Sequence, residues 1–429
     1  MASSTMTGAD VASLLFYLGR LVIAWWWVIL PFLVYPFWQR IYLYYIQGLW
    51  AKDKGKYALL EIKLPEEINR PIKAMEQVFA NLWFILDDPN VREKWLEGKE
   101  MLHFSLEILG RGGEVHFLAR VPSVHAETFK SVVYAQYPEL EIGEFEEYTN
   151  RVPSSLPNKD WNLWGSDIKM VKPDSYPIKT YPIFFEESPS EKEQFKIEPL
   201  SALLEGLSGL KPEEQIWIQI VAVPTREDLT GWASRAKETR DKVLRRDKKN
   251  EVARKPIFKQ VIDILFFQQE FQEVEVKEGA APSLQEIPES DKKIAEAIDR
   301  KASKPSFECF IRIMYLAKRD VFFKPRVTIP INFFLGFNTE HLNSFKPKST
   351  SIKYPPFEDK RLYIKQRDIL WHYLNRFAPG YPEGKEVYVL NTEELATIFH
   401  FPSRMMASAA GLARIRAKKG EPPTNLPIG

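Results

Sequence analysis

Three Gly-Lys pairs are the first residues to weigh for chemistry: Gly55-Lys56, Gly98-Lys99 and Gly384-Lys385. A phosphate loop cradles phosphates on glycine-rich backbone N–H groups and needs Ser or Thr after its Lys to reach magnesium. Tyr57, Glu100 and Glu386 stand there instead, so none of the three has that chemistry. Gly110-Arg111-Gly112-Gly113 reads as a hairpin turn, because glycine reaches positive φ freely. Ser208, within Gly206-Leu207-Ser208-Gly209, has the wrong spacing for a nucleophile elbow. Cys309 is the sole cysteine, which excludes a disulfide within the chain and a cysteine zinc site. It sits in an alternating apolar strand and reads as a small buried hydrophobe. The six histidines contain no His-x-x-x-His pair, and the acidic pairs Glu66-Glu67, Glu146-Glu147 and Glu393-Glu394 are adjacent in sequence. Adjacent side chains point apart on a strand and diverge on a helix, so they form no acid–base pair as written. His400 follows a helix that Asn391 and Glu394 can cap. These readings give a chain with no catalytic residue, no metal ligand set and no cofactor.

One cluster does carry charge. Residues 225–260 hold 12 Lys/Arg against 6 Asp/Glu, among them Arg235, Lys237, Arg240, Lys242, Arg245, Arg246, Lys248 and Lys249. A capping box at Thr225 and Asp228 predicts a helix from there toward residue 250. Three readings stay open for its basic face: a solvated surface helix, contact with anionic lipid headgroups, or contact with nucleic-acid phosphates. The whole chain is near neutral, with 59 Lys+Arg and 57 Asp+Glu over 429 residues. That excludes a histone-like coat.

The elements that would position these groups begin with an apolar segment. Leu21 to Gln39 carries no charge and predicts a helix spanning a membrane, which needs ~20 apolar residues. Trp25, Trp26, Trp27 and Trp38 would anchor it at the membrane–water boundary. A signal peptide fits poorly, since no basic region precedes the run. A re-entrant hairpin turning at Pro31 is the alternative. Residues 1–10 lack Lys and Arg, whereas Arg40, Lys52, Lys54 and Lys56 follow the run. The N-terminus is therefore expected outside and residues 51–429 in the cytoplasm.

The remaining chain predicts an α+β fold of two tandem ferredoxin-like (βαββαβ) domains. The first covers 51–150, with strands at 57–64, 101–110, 114–122 and 140–148 and helices after Asn69 and Ser123. The second covers 151–390. It has a strand within 161–171 or 178–186, a helix at 198–210, strands at 214–224 and 306–320, a helix at 328–345, and a last strand at 362–364 or 387–390. Residues 225–305 would be an insertion between its two central strands, and 391–429 a short helix with a Pro-rich tail. In 216–223 and 307–317 apolar residues fall on both sides of the alternation, which predicts that both faces of that sheet are covered.

Several stretches together carry a family likeness: NRPIKAMEQVFANL (69–82), FSLEILGRGGEVHFLARVP (104–122), VVYAQYPELEI (132–142), EPLSALLEGLSGLKPEEQIWIQI (198–220), LNTEELATIFHFPS (390–403) and KKGEPPTNLPIG (418–429). The chain resembles the N-terminal membrane-anchored, non-motor region of type IV secretion coupling-type ATPases from candidate-phyla-radiation bacteria. The resemblance implies a bacterial cytoplasmic membrane protein and a scaffold role beside a phosphate-loop ATPase. In the longer relatives a motor domain follows the Pro-Pro-x-Asn-Leu-Pro-Ile segment, here Pro422 to Ile428. The implied function is a non-catalytic subunit of a secretion, conjugation or pilus-like machine, as a homo- or hetero-oligomer. The alternative is a tethered module that binds DNA or anionic lipid through the basic insertion.

Overall fold

The computed structural model describes residues 8–402 apart from 54–55, 66–67, 69, 86, 88, 100, 187–199, 245–286, 349–356 and 380–385. Its first element is helix α1, Gly8–Asp53, with Pro31 and Pro36 inside it. Among the described residues no helix is long and apolar enough to cross a membrane. This corrects the expected single-pass span over 21–39, together with the topology and location drawn from it. Length is not the shortfall, since 46 residues at 1.5 Å rise make about 69 Å. The run is diluted by indole and phenol rings that carry polar groups and by two prolines. Trp25, Trp26, Trp27 and Trp38, expected as boundary anchors, lie on α1 between 53% and 61% exposed.

The rest of the chain builds one antiparallel sheet. Strands β1 (Tyr57–Lys63), β2 (Phe104–Arg111), β3 (Glu114–Pro122) and β4 (Glu141–Glu144) come from the first half. Strands β5 (Trp161–Met170), β6 (Glu214–Thr225), β7 (Ser306–Lys318), β8 (Phe345–Pro347) and β9 (Tyr388–Asn391) come from the second. The order is β4-β1-β3-β2-β6-β7-β5-β8, with β9 pairing β7 beyond that path. Two tandem ferredoxin-like domains are therefore not what forms. Strand β2 pairs β6 from Phe104↔Ala222 to Arg111↔Gln215, which fuses both halves into a single nine-stranded sheet. An edge strand exposes an unpaired ladder, and pairing β2 with β6 leaves neither strand as an edge.

Local chemistry explains several boundaries. Gly112 and Gly113 take φ of +57° and +89° and turn β2 into β3. The helix after Thr225 is capped differently from expectation. Arg226 is its N-cap residue, with no side-chain cap bond, because Thr225 remains in β6 and bonds Thr230 instead. The segment 362–364, one candidate for a last strand, is helical, within Glu358–Asn375. Residues 178–186 form no strand either, since Tyr181–Glu186 is a short helix, α4.

One sheet face carries the main core. Helices α2 (Ile72–Leu82), α3 (Ala126–Gln136) and α5 (Ser201–Ser208) cover it with α9 (Thr328–Leu335) and α11 (Thr392–Ile398), numbering every helix in chain order. Leu106, Ile218, Ile311 and Tyr315 point into that core. The opposite face packs Leu109, Leu118, Trp217, Met314 and Leu316 against Tyr148, Leu370 and Tyr373. Leu370 and Tyr373 belong to α10 (Glu358–Asn375).

Because β2–β6 pairing makes the halves one structural unit, both should melt together. Trp217→Ala, at a fully buried site, should cost about 3–5 kcal/mol. Urea unfolding followed by circular dichroism and by amide exchange in β3 and β7 should show one shared, shifted transition. Separate transitions for the two halves would contradict a single sheet.

Candidate functional site

Polar residues interrupt four apolar strands: Glu107 on β2, Gln219 on β6, Arg312 on β7 and Asp167 on β5. Pairing puts them side by side, Glu107↔Gln219, Gln219↔Arg312 and Arg312↔Asp167. Residues directly opposite in antiparallel strands share a face, so the four form one row across the sheet. Glu107, Gln219 and Arg312 are fully buried, and Asp167 nearly so.

The C-terminal turn of α10 closes over this row. Arg376, at positive φ just past the helix, donates from Nε to Glu107 Oε1 at 3.1 Å and from Nη2 to Glu147 at 2.9 Å. Gln219 Nε2 donates to Glu107 Oε1 at 3.1 Å and to the Tyr373 carbonyl at 3.3 Å. Ser105 and Tyr148 donate to Glu107 at 2.5 and 2.8 Å, and the Tyr148 and Tyr373 hydroxyls bond at 2.7 Å. Burial opposes ionisation of Glu107. The Arg376 charge and the hydrogen bonds from Arg376, Ser105 and Tyr148 outweigh it, and the carboxyl is held at about 2. The same surroundings act on the neighbouring bases. Burial, then the Arg120 and Arg376 charges, push the His103 imidazole down to about 3. Burial and Arg376 bring the Arg120 guanidinium to about 10, while it stacks 3.9 Å over the Tyr57 ring.

The other end of the row opens on a cavity. Arg312 Nε meets Asp167 Oδ1 at 2.7 Å, and Nη1 donates to the Phe377 carbonyl at 3.1 Å. The cavity, about 100 Å³, lies between β5, β7 and α10, with Trp164, Arg312, Leu362, Gln366, Ile369 and His372 among its lining. A second buried charge set sits on the helix-covered face. Lys301 meets Glu394 at 3.0 Å, and Lys304 reaches both Glu76 and Glu393 at 2.6 Å. Burial raises the Glu394 carboxyl despite the Lys301 charge. Glu394 also completes the capping box with Asn391.

The expected basic cluster falls in two parts. Arg235, Lys237, Arg240 and Lys242 lie on α7 (Trp232–Val243), which packs beside α8 (Glu289–Ala302). Their charges are partly answered locally: Arg240 pairs Asp241 and Asp299, and Lys242 pairs Glu238. Arg245, Arg246, Lys248 and Lys249 lie outside the described residues, as do Asn69 and the Pro-rich tail. Cys309 is buried, and burial raises its thiol well above the ordinary range. Among the described residues no group of His, Cys, Asp and Glu could hold a metal ion.

Sequence reasoning passed over the buried row. Its signal was a single polar residue inside each of LEILG, IWIQIVAV and FIRIMY, with Asp167 among the more mixed residues of GSDIKM. Compared with known proteins, residues 50–409 match the profile of a family described as a domain of unknown function, DUF8128. No curated protein matches the chain.

Glu107 makes acid stability testable. Its folded value lies below that of an unfolded carboxylate, near 4.3. Its contribution is therefore complete above about pH 5 and is lost as pH falls toward 2. Glu107→Gln should cost about 3–5 kcal/mol at pH 7, because Arg376 is left buried beside a neutral group. The cost should shrink as pH falls from 5 to 2, which urea melts at stepped pH will read.

Proposed function

The chain belongs to the DUF8128 family, and on that premise we propose for it a non-catalytic scaffold role. It would be a subunit of a secretion, conjugation or pilus-like machine, packing beside copies of itself and working with a phosphate-loop coupling ATPase. The observation that carries this reading is the surface of α1. Trp26, Leu30, Leu33 and Phe37 recur at intervals of four, three and four residues, which places them along one side of a helix. They are 57%, 45%, 63% and 64% exposed. Trp25, Phe32 and Ile41 are exposed as well, so the apolar surface extends around the helix. Contiguous apolar surface of this extent marks an interaction site, and burying each such side chain is worth about 1.5–3 kcal/mol.

The folded domain holds α1 by its C-terminal part. The Tyr42 hydroxyl donates to the Trp95 carbonyl at 2.8 Å, and Ile46 is buried. Gly98, at φ +70°, passes so close that a Cβ there would lie 2.4 Å from the Ile46 carbonyl oxygen. A helix fixed at one end and apolar beyond it suits lateral packing of several copies. The buried ionisable groups favour a structural role too, since Glu107, Asp167, Glu393 and Glu394 are each engaged by a cation.

Cross-linking in the native host should join copies of the chain to each other and to an ATPase. Trp26→Glu with Phe37→Glu in the full chain should abolish both products while leaving circular dichroism of the sheet unchanged. A wild-type chain that stays monomeric at all concentrations, with no cross-linked ATPase, would overturn the proposal.

A further inference from the structure

Arg312 is fully buried, and two of its three guanidinium nitrogens have partners among the described residues. Nε serves Asp167 and Nη1 serves the Phe377 carbonyl, both at hydrogen-bond distance. Among the described residues nothing accepts from Nη2, and the side chain forms part of the cavity wall. An anionic oxygen is the strongest partner for a guanidinium nitrogen that faces such a space. The cavity measures about 100 Å³, against the roughly 10–15 Å³ that one water needs. It has room for a small organic molecule.

Its walls decide the class of molecule. Trp164, Leu362, Ile369 and Pro379 give it an apolar side. The Gln366 amide donates to the Leu163 carbonyl, which holds that side chain in place along the wall. His372 Nδ1 bonds the Asp368 carbonyl at 2.8 Å, so the imidazole is oriented with its other nitrogen away from that bond. Asp167 and Asp368 both line the space. Lys348 and Lys365 line it as well, so the charged groups admit an anion, and the apolar side selects one with an apolar tail over bare phosphate. We infer that this cavity binds a small monocarboxylate with an apolar tail, its carboxylate on Arg312 Nη2 and its tail against Trp164, Leu362 and Ile369. This site is independent of the scaffold reading, which rests on α1.

Benzoate, its neutral isostere benzamide and inorganic phosphate can be titrated separately into the full-length protein by calorimetry. Benzoate should bind saturably at millimolar concentration, and benzamide and phosphate at least tenfold more weakly. Arg312→Lys keeps a cation for Asp167 but removes Nη2, and should weaken benzoate about tenfold or more. Leu362→Trp fills the cavity from a partly exposed helix position. It should abolish binding with the fold intact, so the test survives even if Arg312→Lys fails to fold. No benzoate binding, equal binding of benzamide, stronger binding of phosphate, or unchanged benzoate binding by Leu362→Trp would each overturn the inference.

Discussion

The Glu107–Arg376 ion pair is the constraint on which the rest of the structure depends. Two full charges taken out of water cost several kcal/mol each unless each meets the other in good geometry with its remaining hydrogen bonds filled. Glu107 meets that condition only when β2, β6, the Tyr148 turn and the end of α10 are all in place. The charge thus acts as a register lock. A slip of β6 by one residue would turn Gln219 to the other face and leave the carboxylate without one of its donors.

The row beyond Glu107 extends the same logic to the far half. Gln219 links Glu107 to the end of α10, and Arg312 links Asp167 to the Phe377 carbonyl. Helix α10 therefore docks on this face by its C-terminal carbonyls as well as by Leu370 and Tyr373. The Tyr373 carbonyl belongs to the last helical turn, and the Phe377 carbonyl follows just past the helix end. The opposite face carries its own buried ion pairs, Lys301 with Glu394 and Lys304 with Glu76 and Glu393, beside a large apolar core. Apolar burial supplies most of the stabilisation, and the polar row fixes alignment. At the Asp167 end of the row, Arg312 and Asp167 both line the cavity.

Helix α1 stands apart from this economy. Its C-terminal part joins the domain through Tyr42 and Ile46, while Trp25 to Trp38 offers rings to whatever lies alongside. A domain of this size buries comparable side chains elsewhere, with Phe79, Phe104, Phe117 and Phe307 all at or below 1% exposure. The contrast within one chain sets the apolar surface of α1 apart from the core.

The sequence by itself determined the local elements. The glycine pair at 112–113, the Asn391–Glu394 box and the alternation in 214–224 and 306–320 all read correctly, because each is settled by neighbours a few residues apart. The apolar run at 21–39 was legible as a helix, but its aromatic and proline content did not meet the demand of a spanning segment. Tertiary structure alone decided that β2 and β6 would pair. Each strand is an acceptable edge in its own half, and only their mutual fit removes both edges. It also decided the site. Glu107, Asp167, Gln219, Arg312 and Arg376 are spread over 270 residues of sequence, and no local spacing relates them. Their adjacency follows from strand register across the fused sheet, a property that exists only once the long-range hydrogen bonds have formed.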